Sequence, residues 1–465
     1  MENLREGLRI NTGGVRLFFF GTGFETSTVM ARLSSIITAA LVLAASLAQC
    51  QGLSRLDRER GHVMLRFTEK DLIENYFDKS FHGVDIGRLF REAGGKIDQA
   101  ATLGEMFRAI AGPFIGLGDA HTMFIPPART LRLRYGWDMA MVGDSCRVTY
   151  VQPESDAQAQ GVRAGDPVFS VDGIVPSRAT MHLLNYTMYS LDPRVRVSLV
   201  VGQRDGTVAT LKVTASAAER ERVVYLSGMT GAVDFWNYEL MEEPACHPHH
   251  SRLKSIGDNL IVWKLPRFDL SGREIKSAMD VVMKSGSLIL DLRDNPGGYV
   301  PSLTSLAGYF FDSDVTLFHS EGRARNDSVV APHAGVPYRG SVIVLIDSRS
   351  ASSAEIFART MQIHHRGMVL GDVSSGSVME AMYHPRSMGA STVISYGSSI
   401  SLARVRMPDG CFIEGTGVYP DERILPSQRD LALGLDPVMA RATELAGAPL
   451  DPRRSGELFP PDGGK

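Results

Sequence analysis

The sequence contains few cysteines, and their spacing excludes several kinds of site. The four cysteines, Cys50, Cys146, Cys246 and Cys411, form no Cys-x-x-Cys pair. A zinc ribbon or a dithiol redox motif is therefore not supported, and four scattered cysteines define no disulfide framework.

One short stretch nevertheless contains several potential metal ligands, namely Cys246, His247, His249 and His250. Ligands this crowded, with Pro248 between them, rarely converge on one ion in tetrahedral geometry. We interpret the stretch as a surface loop, and metal binding there is the second interpretation. We predict no metal and no organic cofactor for the protein.

The chain also lacks an excess of charge. Its net charge is -3, and it has no long basic run. Nucleic acid and anionic membranes are therefore not expected as main partners. The length of 465 residues exceeds that of one typical hydrophobic core, so two or three domains are expected.

The segment near the beginning of the chain is too short for a membrane span but fits an export signal. Met30-Ala31-Arg32 precedes a mostly apolar stretch, Ile36 to Ala48, which ends in small residues. We expect residues 1–49 to be a leader, with translation beginning at Met30 and cleavage after Ala48. The protein would then be exported, to the periplasm, the cell envelope or the medium. Lipid on Cys50 is the alternative to simple release, and only lipid would attach the protein to a membrane.

The remaining chain divides by its hydrophobic periodicity. Apolar residues at helical spacing come first, then short strands with glycine turns, then alternating strands and helices. This order predicts an α/β protein with an additional helical part and a β-rich part. The predicted divisions are a helical cap at 60–130, a β domain at 134–216, a connecting segment at 217–256, the α/β core at 257–447 and a flexible tail at 448–465.

The core contains a candidate nucleophile. The apolar run Val342 to Ile346 predicts a buried strand, a polar turn follows, and a helix begins at Ser352. A hydroxyl at the first turn of a helix lies beside free backbone N–H groups, which stabilise developing negative charge. The alternative is an ordinary helix cap, because Ser352 and Glu355 have the Ser-x-x-Glu spacing of a capping box.

A pair of glycines follows another predicted strand. Leu288 to Leu290 is apolar, and Gly297 and Gly298 come after a short turn. Glycines at the end of a strand leave backbone N–H groups open to a substrate carbonyl. The alternative is a tight turn into a helix that begins near Val300.

Three segments resemble one peptidase family. They read Gly-Leu-Gly-Asp-Ala-His-Thr at 116–122, Asp-Leu-Arg-Asp-Asn-Pro-Gly-Gly at 291–298 and Glu-Gly-Thr-Gly-Val-Tyr-Pro-Asp at 414–421. They are similar to motifs of the carboxyl-terminal processing and tail-specific serine peptidases, with Ala120 in place of a usual glycine. This resemblance implies a core of the ClpP/crotonase type, built from ββα units.

The resemblance also distinguishes two versions of the chemistry. Members with a serine–lysine dyad place a lysine where this sequence has Ser377, and no lysine occurs between Ser352 and Lys465. The chain is more similar to the branch that includes the tricorn core. That similarity implies Ser352 as nucleophile, His121 as general base and Glu414 as the acid that orients it, with backbone N–H groups of Gly298 and Ser353 as oxyanion hole.

Residues 134–216 resemble a PDZ domain of the bacterial protease type. The similarity lies in the strand Val148 to Val151, the segment Gly161 to Asp166 and the strand that ends at Gly173. PDZ domains bind extended chain ends by adding a strand. The resemblance therefore implies substrate contacts at Tyr135 and Gly136 in the carboxylate-binding loop. The alternative is a spacer that binds nothing. A further substrate contact is expected at Gly297, in the glycine pair of the core.

The function predicted from these features is that of an exported serine endopeptidase that cuts extended or unfolded polypeptides, with the PDZ-like domain receiving chain ends. A second hypothesis is a binding protein that kept the fold without catalysis. A third is an acyl-CoA enzyme of the crotonase type, which the leader and the PDZ-like domain disfavour. The sequence does not define an oligomeric state.

Overall fold

The computed structural model of the chain describes residues 52–129, 131–219, 250–389 and 393–460. The predictions for the leader, for Cys50 and for Cys246, His247 and His249 fall outside these residues. None of the helices among the described residues is both long enough and apolar enough to cross a lipid bilayer.

Helices and strands are numbered in chain order over the described residues. The helices are α1 Arg55–Asn75, α2 Ile86–Gln99, α3 Leu103–Ile115, α4 Asp156–Ala159, α5 Met181–Tyr186, α6 Gly272–Val282, α7 Val300–Ala307, α8 Ser353–Ile363, α9 Gln428–Leu433, α10 Pro437–Leu445 and α11 Pro452–Gly456. The strands are β1 Met123–Ile125, β2 Leu131–Arg134, β3 Trp137–Val142, β4 Ser145–Val151, β5 Val168–Val171, β6 Arg196–Gly202, β7 Val208–Thr214, β8 Ser216–Glu219, β9 Arg252–Ile256, β10 Leu260–Lys264, β11 Ser287–Asp291, β12 Val315–Gly322, β13 Ser328–Ala331, β14 Ser341–Ile346, β15 Met368–Gly371, β16 Met379–Met388, β17 Ile394–Arg406 and β18 Glu422–Arg423.

The first three helices pack together and onto a β-hairpin that lies far away in the sequence. Side chains of Ser54, Asp85 and Thr102 each accept a backbone N–H in the first turn of α1, α2 and α3. The apolar faces of these helices form a core that also includes Tyr396 and Ile400 of β17. The helical segment therefore packs against β17 of the second sheet.

The β-rich insert lies between β2 and β8, which pair antiparallel. It contains the hairpin of β3 and β4 and the antiparallel sheet of β5, β6 and β7, around an apolar core of its own. A helical segment, formed by α5 and the following turn at Thr187–Leu191, packs its Leu184 and Met188 into this core.

The central sheet has the strand order β18-β15-β14-β11-β10-β9. Every neighbouring pair from β18 to β10 is parallel, and only β9 is antiparallel. The central strands β10, β11 and β14 are buried along nearly their whole length, as expected for a parallel sheet covered on both faces. Because parallel strands end on the same edge, the turns after β11 and β14 meet there.

A second sheet connects the helical segment to this core. Its order is β1-β17-β12-β13, with β16 on the other side of β17. The long strand β17 pairs at Gly397 to Ser399 with β1 and near its end with β12. The loop before β1 is thereby attached to the core more than two hundred residues later in the chain.

Two predicted divisions are corrected by the structure. The prediction extends the connecting segment to residue 256. In the structure β9 already belongs to the central sheet, because a short turn with Gly257 at a φ of 59° allows β9 to pair with β10. The flexible tail is wrong for residues 450–460. Asp451 caps α11, and Leu458 and Phe459 pack against the core, where Arg252 lies over the Phe459 ring.

The packing of this carboxyl-terminal segment is testable. We expect Phe459→Ala to lower the free energy of unfolding by about 1–2 kcal/mol, because it removes apolar contacts and the contact with the Arg252 cation. Leu433→Ala, at a residue 48% exposed, is the control and should change stability by less than about 0.5 kcal/mol. Urea unfolding checks both variants, and equal effects would contradict the packing.

Candidate active site

Ser352 occupies a strained turn between β14 and α8. Its backbone has φ 52° and ψ -117°, a conformation that non-glycine residues rarely adopt and that is found mostly at functional sites. The turn is fastened to the turn after β11, because the Ala351 N–H donates to the Asn295 carbonyl at 2.9 Å. The predicted strand and helix on either side of Ser352 are confirmed.

Gly297 and Gly298 lie directly against Ser352. A Cβ atom on Gly297 would lie 2.7 Å from the Ser352 Cβ and 3.0 Å from the backbone nitrogen of Ser353. Gly298 has a φ of 142°, and its carbonyl accepts the Ser353 hydroxyl at 3.0 Å. Only glycine permits this approach.

The backbone N–H groups of Gly298 and Ser353 are available to a ligand. Over the described residues, neither N–H has a hydrogen-bond acceptor in the protein. Most buried backbone N–H groups are paired, so two open ones beside a serine hydroxyl form a site that can accept a negative oxygen.

Glu355 is a fully buried acid one turn into α8. Its carboxylate accepts four hydrogen bonds, from the Ser374 hydroxyl at 2.5 Å and from the backbone N–H groups of Gly376, Ser377 and Ser352 at 2.8, 2.9 and 3.0 Å. Burial raises the pKa of Glu355 to about 7, and these four donors act in the opposite direction. The carboxylate therefore binds the nucleophile turn to residues 374–377.

His121 lies in the loop before β1 and is held by Asp119. The Asp119 carboxylate accepts the N–H groups of His121 and Thr122 at 2.8 and 3.0 Å and the Ser401 hydroxyl at 2.9 Å. The Thr122 hydroxyl in turn accepts the Ser401 N–H at 3.0 Å. Ser401 belongs to β17, so this strand fixes the position of the histidine loop.

The ring of His121 is poorly solvated. Its Nδ1 is inaccessible to solvent and has no hydrogen-bond partner within the described part of the chain. Desolvation lowers the pKa of His121, whereas the Asp119 carboxylate acts to raise it. The neutral imidazole, the form that can accept a proton, is therefore favoured near neutral pH.

Glu414 lies next to this histidine. Side-chain ligand atoms of Asp119, His121 and Glu414 all lie within 4.8 Å of one another. Burial is the main cause that raises the pKa of Glu414 to about 7. The Asp119 and Glu355 carboxylates act in the same direction, whereas hydrogen bonds from the Val378 and Ala120 N–H groups lower the pKa. This grouping of two acids and one histidine could in principle hold a cation, but Asp119 already accepts several hydrogen bonds from the protein.

The two halves of the site are connected through one short segment. The Ser377 carbonyl oxygen accepts a hydrogen bond from the Ser352 N–H at 2.9 Å. The N–H of the next residue, Val378, donates to the Glu414 carboxylate. Among the described residues, no hydrogen bond joins the His121 ring to the Ser352 hydroxyl or to Glu414. Catalytic hydrogen bonds are often long or incomplete in the absence of substrate.

Tyr135 and Gly136, the residues predicted to bind a substrate carboxylate, lie in the β-rich insert. Tyr135 is buried, and its hydroxyl donates to the Met188 carbonyl and accepts the Arg194 N–H, both at 3.2 Å. Gly136, with a φ of 72°, accepts the Gln152 N–H at its carbonyl oxygen. Both residues are thus held by hydrogen bonds within the insert.

The outer edge of β3 is covered by the core. The carbonyl oxygens of Met139 and Met141 point away from β4, and they accept hydrogen bonds from Arg349 at 2.5 Å and from the Ser348 hydroxyl at 2.6 Å. Arg349 also pairs with Asp138 of β3. Ser348 and Arg349 precede Ser352 by only a few residues, so the insert and the nucleophile turn share an interface.

Sequence reasoning missed two residues of the site. Asp119 was read only as part of a motif, and Glu355 was read as a helix cap. A signal for Glu355 was present, because the acid lies in a helix whose residues 353–358 are otherwise small or apolar and are all buried. A carboxylate in such a run needs several internal donors.

Comparison with known proteins adds family information to this geometry. Residues 260–424 match the model of peptidase family S41. The chloroplastic C-terminal processing peptidase of Tetradesmus obliquus is 23% identical over 367 residues, which cover 76% of this chain and 74% of that protein. The carboxyl-terminal-processing protease of Picosynechococcus sp. is 24% identical over 343 residues, or 70% and 74% of the two chains.

A solved structure is similar in fold. The crystal structure of mature CPAF superimposes with a TM-score of 0.58 over 81% of this chain and 94% of that one, at 15% identity. The family match begins at β10 and includes Ser352, Glu355 and Glu414, whereas His121 lies before it. The segment that contains the Ser352 turn thus belongs to peptidase family S41, among the carboxyl-terminal processing peptidases, and the protein is a serine-type peptidase.

Proposed function

We propose that this peptidase cleaves extended polypeptides with Ser352 as nucleophile, His121 as general base and Glu414 as the acid that supports the imidazolium. The observation that carries the proposal is the segment Ser377–Val378, which binds the nucleophile turn on one side and Glu414 on the other. Ser352 attacks the peptide carbonyl while His121 accepts its proton and later returns it to the leaving amine.

The open N–H groups of Gly298 and Ser353 support the remaining part of the mechanism. An oxyanion that forms between them receives two hydrogen bonds. Because these donors are held by the Gly297–Ser352 contact, they require little reorganisation during the reaction.

A lysine base is disfavoured by the placement of Lys264. This buried lysine lies at the end of β10, but its ammonium donates to the Arg293 carbonyl at 2.5 Å and lies 3.4 Å from Asp291. It is therefore part of an internal ion-pair network. His121 is the base that we propose instead.

The first test is labelling and turnover. We expect a fluorophosphonate probe to label Ser352, Ser352→Ala to abolish peptide hydrolysis, and His121→Ala to lower kcat by roughly 10²- to 10⁴-fold. His365→Asn is the matched control, because His365 is exposed at the far end of α8 and has a φ of 50°, which asparagine tolerates. Normal turnover by the His121 variant would overturn the proposed base.

The second test concerns pH. Glu414 must be ionised to support the imidazolium, and its raised pKa of about 7 means that kcat/KM should increase as pH rises through about 7. Glu414→Gln cannot ionise, so we expect a loss on the order of 10²-fold above pH 8 and a shallower rise. The exposed Glu444→Gln is the control. A Gln variant as active as the wild type above pH 8 would contradict this role.

We further propose that the insert is a PDZ-like domain that receives the carboxyl ends of substrates, and that the protein is exported. The relatives named above process carboxyl termini, and β3 offers a strand edge to which an extended chain could pair. In this structure Arg349 and Ser348 occupy that edge, so a paired peptide would have to displace them.

Carboxylate recognition is testable with a matched pair of peptides. We expect amidation of the substrate's carboxyl terminus to raise KM by about 10-fold with little change in kcat. The amide cannot form the hydrogen bonds that a charged carboxylate forms on binding, and these bonds contribute equally to the bound substrate and to the transition state. Steady-state kinetics on the acid and the amide of one sequence measure this. Equal KM values would indicate that the insert is a spacer.

A catalytically inactive peptide-binding protein is the second candidate function. The absence of a hydrogen bond between the His121 ring and the Ser352 hydroxyl, among the described residues, is the observation that favours it. Absence of fluorophosphonate labelling, together with retained binding of the free-acid peptide, would support this alternative.

A further inference from the structure

We propose that Glu355 is a positioning residue of the peptidase site, which holds the Ser352 turn in register with the loop that carries Glu414. The inference rests on the proposed role of Ser352 as nucleophile. It gives Glu355 a function beyond the helix cap that its spacing suggests.

The hydrogen bonds of Glu355 divide between two pieces of chain. One carboxylate oxygen accepts the Ser374 hydroxyl and the Gly376 N–H, and the other accepts the N–H groups of Ser352 and Ser377. The same carboxylate therefore contacts the nucleophile residue itself and the segment 374–377, which follows β15.

That segment in turn holds both ends of the Glu414 loop. The Gly376 carbonyl accepts the Gly415 N–H at 2.7 Å, and the Ser374 hydroxyl oxygen accepts the Val418 N–H at 2.6 Å. Val378 donates to Glu414 itself. A displacement of residues 374–377 would thus move the proposed acid and the nucleophile relative to each other.

A comparison within the chain separates this role from capping. Ser271 and Glu274 form the same Ser-x-x-Glu capping box at α6, where the Glu274 carboxylate accepts hydrogen bonds from Ser271 and lies at the surface. Glu355 has 0% exposure, and its four donors are all uncharged. A buried acid without a cation is costly, so a cap alone does not account for it.

The test compares Glu355→Gln with Glu274→Gln. Glutamine keeps the shape of the side chain but turns an amide N–H₂ toward at least one of the N–H or O–H donors, which should loosen the link. We measure the rate constant of fluorophosphonate labelling, the fraction of molecules labelled, and kcat and KM for one peptide. A shift of the reacting groups by about 1 Å can cost 10²-fold in rate.

For Glu355→Gln we expect a labelling rate constant and a kcat lower by about 10²-fold, with KM within about 2-fold and an unchanged labelled fraction. Glu274→Gln should match the wild type in every quantity. Ser374→Ala, which removes one donor to Glu355, should show a smaller loss of about 10-fold in the same rate constants. If Glu355→Gln does not fold, Ser374→Ala provides the test.

The possible failures are distinguishable. If the folded Glu355→Gln labels as fast as Glu274→Gln, or if only its labelled fraction falls while the rate per labelled molecule is unchanged, the positioning role is overturned and Glu355 is merely structural. A wild-type protein that is not labelled at Ser352 would overturn the proposed function and the positioning role together.

Discussion

The site depends on the pairing of one short strand with one long strand. β1 adds its three residues antiparallel to the middle of β17, and Asp119 and Thr122 hydrogen-bond Ser401 at the end of this contact. This pairing and the Ser401 hydrogen bonds together attach the His121 loop to the peptidase core. The helices α1 to α3 strengthen it, because their shared core includes two side chains of β17.

The central parallel sheet brings the two turns around Ser352 together. Parallel strands end at a common edge, so the turns after β11 and β14 meet, and their contact brings Gly297 against Ser352. Positive φ values at Ser352 and Gly298 show that the backbone departs from its preferred conformations there. Such strain persists where the surrounding hydrogen bonds enforce it, and the bonds of Glu355 and Asn295 do so here.

Buried acids connect these parts. Glu355 and Glu414 are both largely removed from water, and burial raises the pKa of each to about 7. Each carboxylate is held mainly by neutral donors. Desolvation therefore favours the protonated acid, and the hydrogen bonds favour the ionised form. The insert adds a further connection, because Arg349 binds β3 only three residues before the nucleophile.

The sequence by itself determined the strand–turn–helix at Ser352, the apolar strands of the parallel sheet and the motifs that resemble the family, because these are local patterns of burial and turn chemistry. It did not determine the distance between His121 and Ser352, the burial of Glu355 or the ordered end at Phe459. Local spacing makes a capping box of both Glu274 and Glu355. Only the tertiary structure decided that Glu274 faces solvent, whereas Glu355 is buried and accepts hydrogen bonds from four internal donors. The reason is that burial depends on what packs against a helix from elsewhere in the chain.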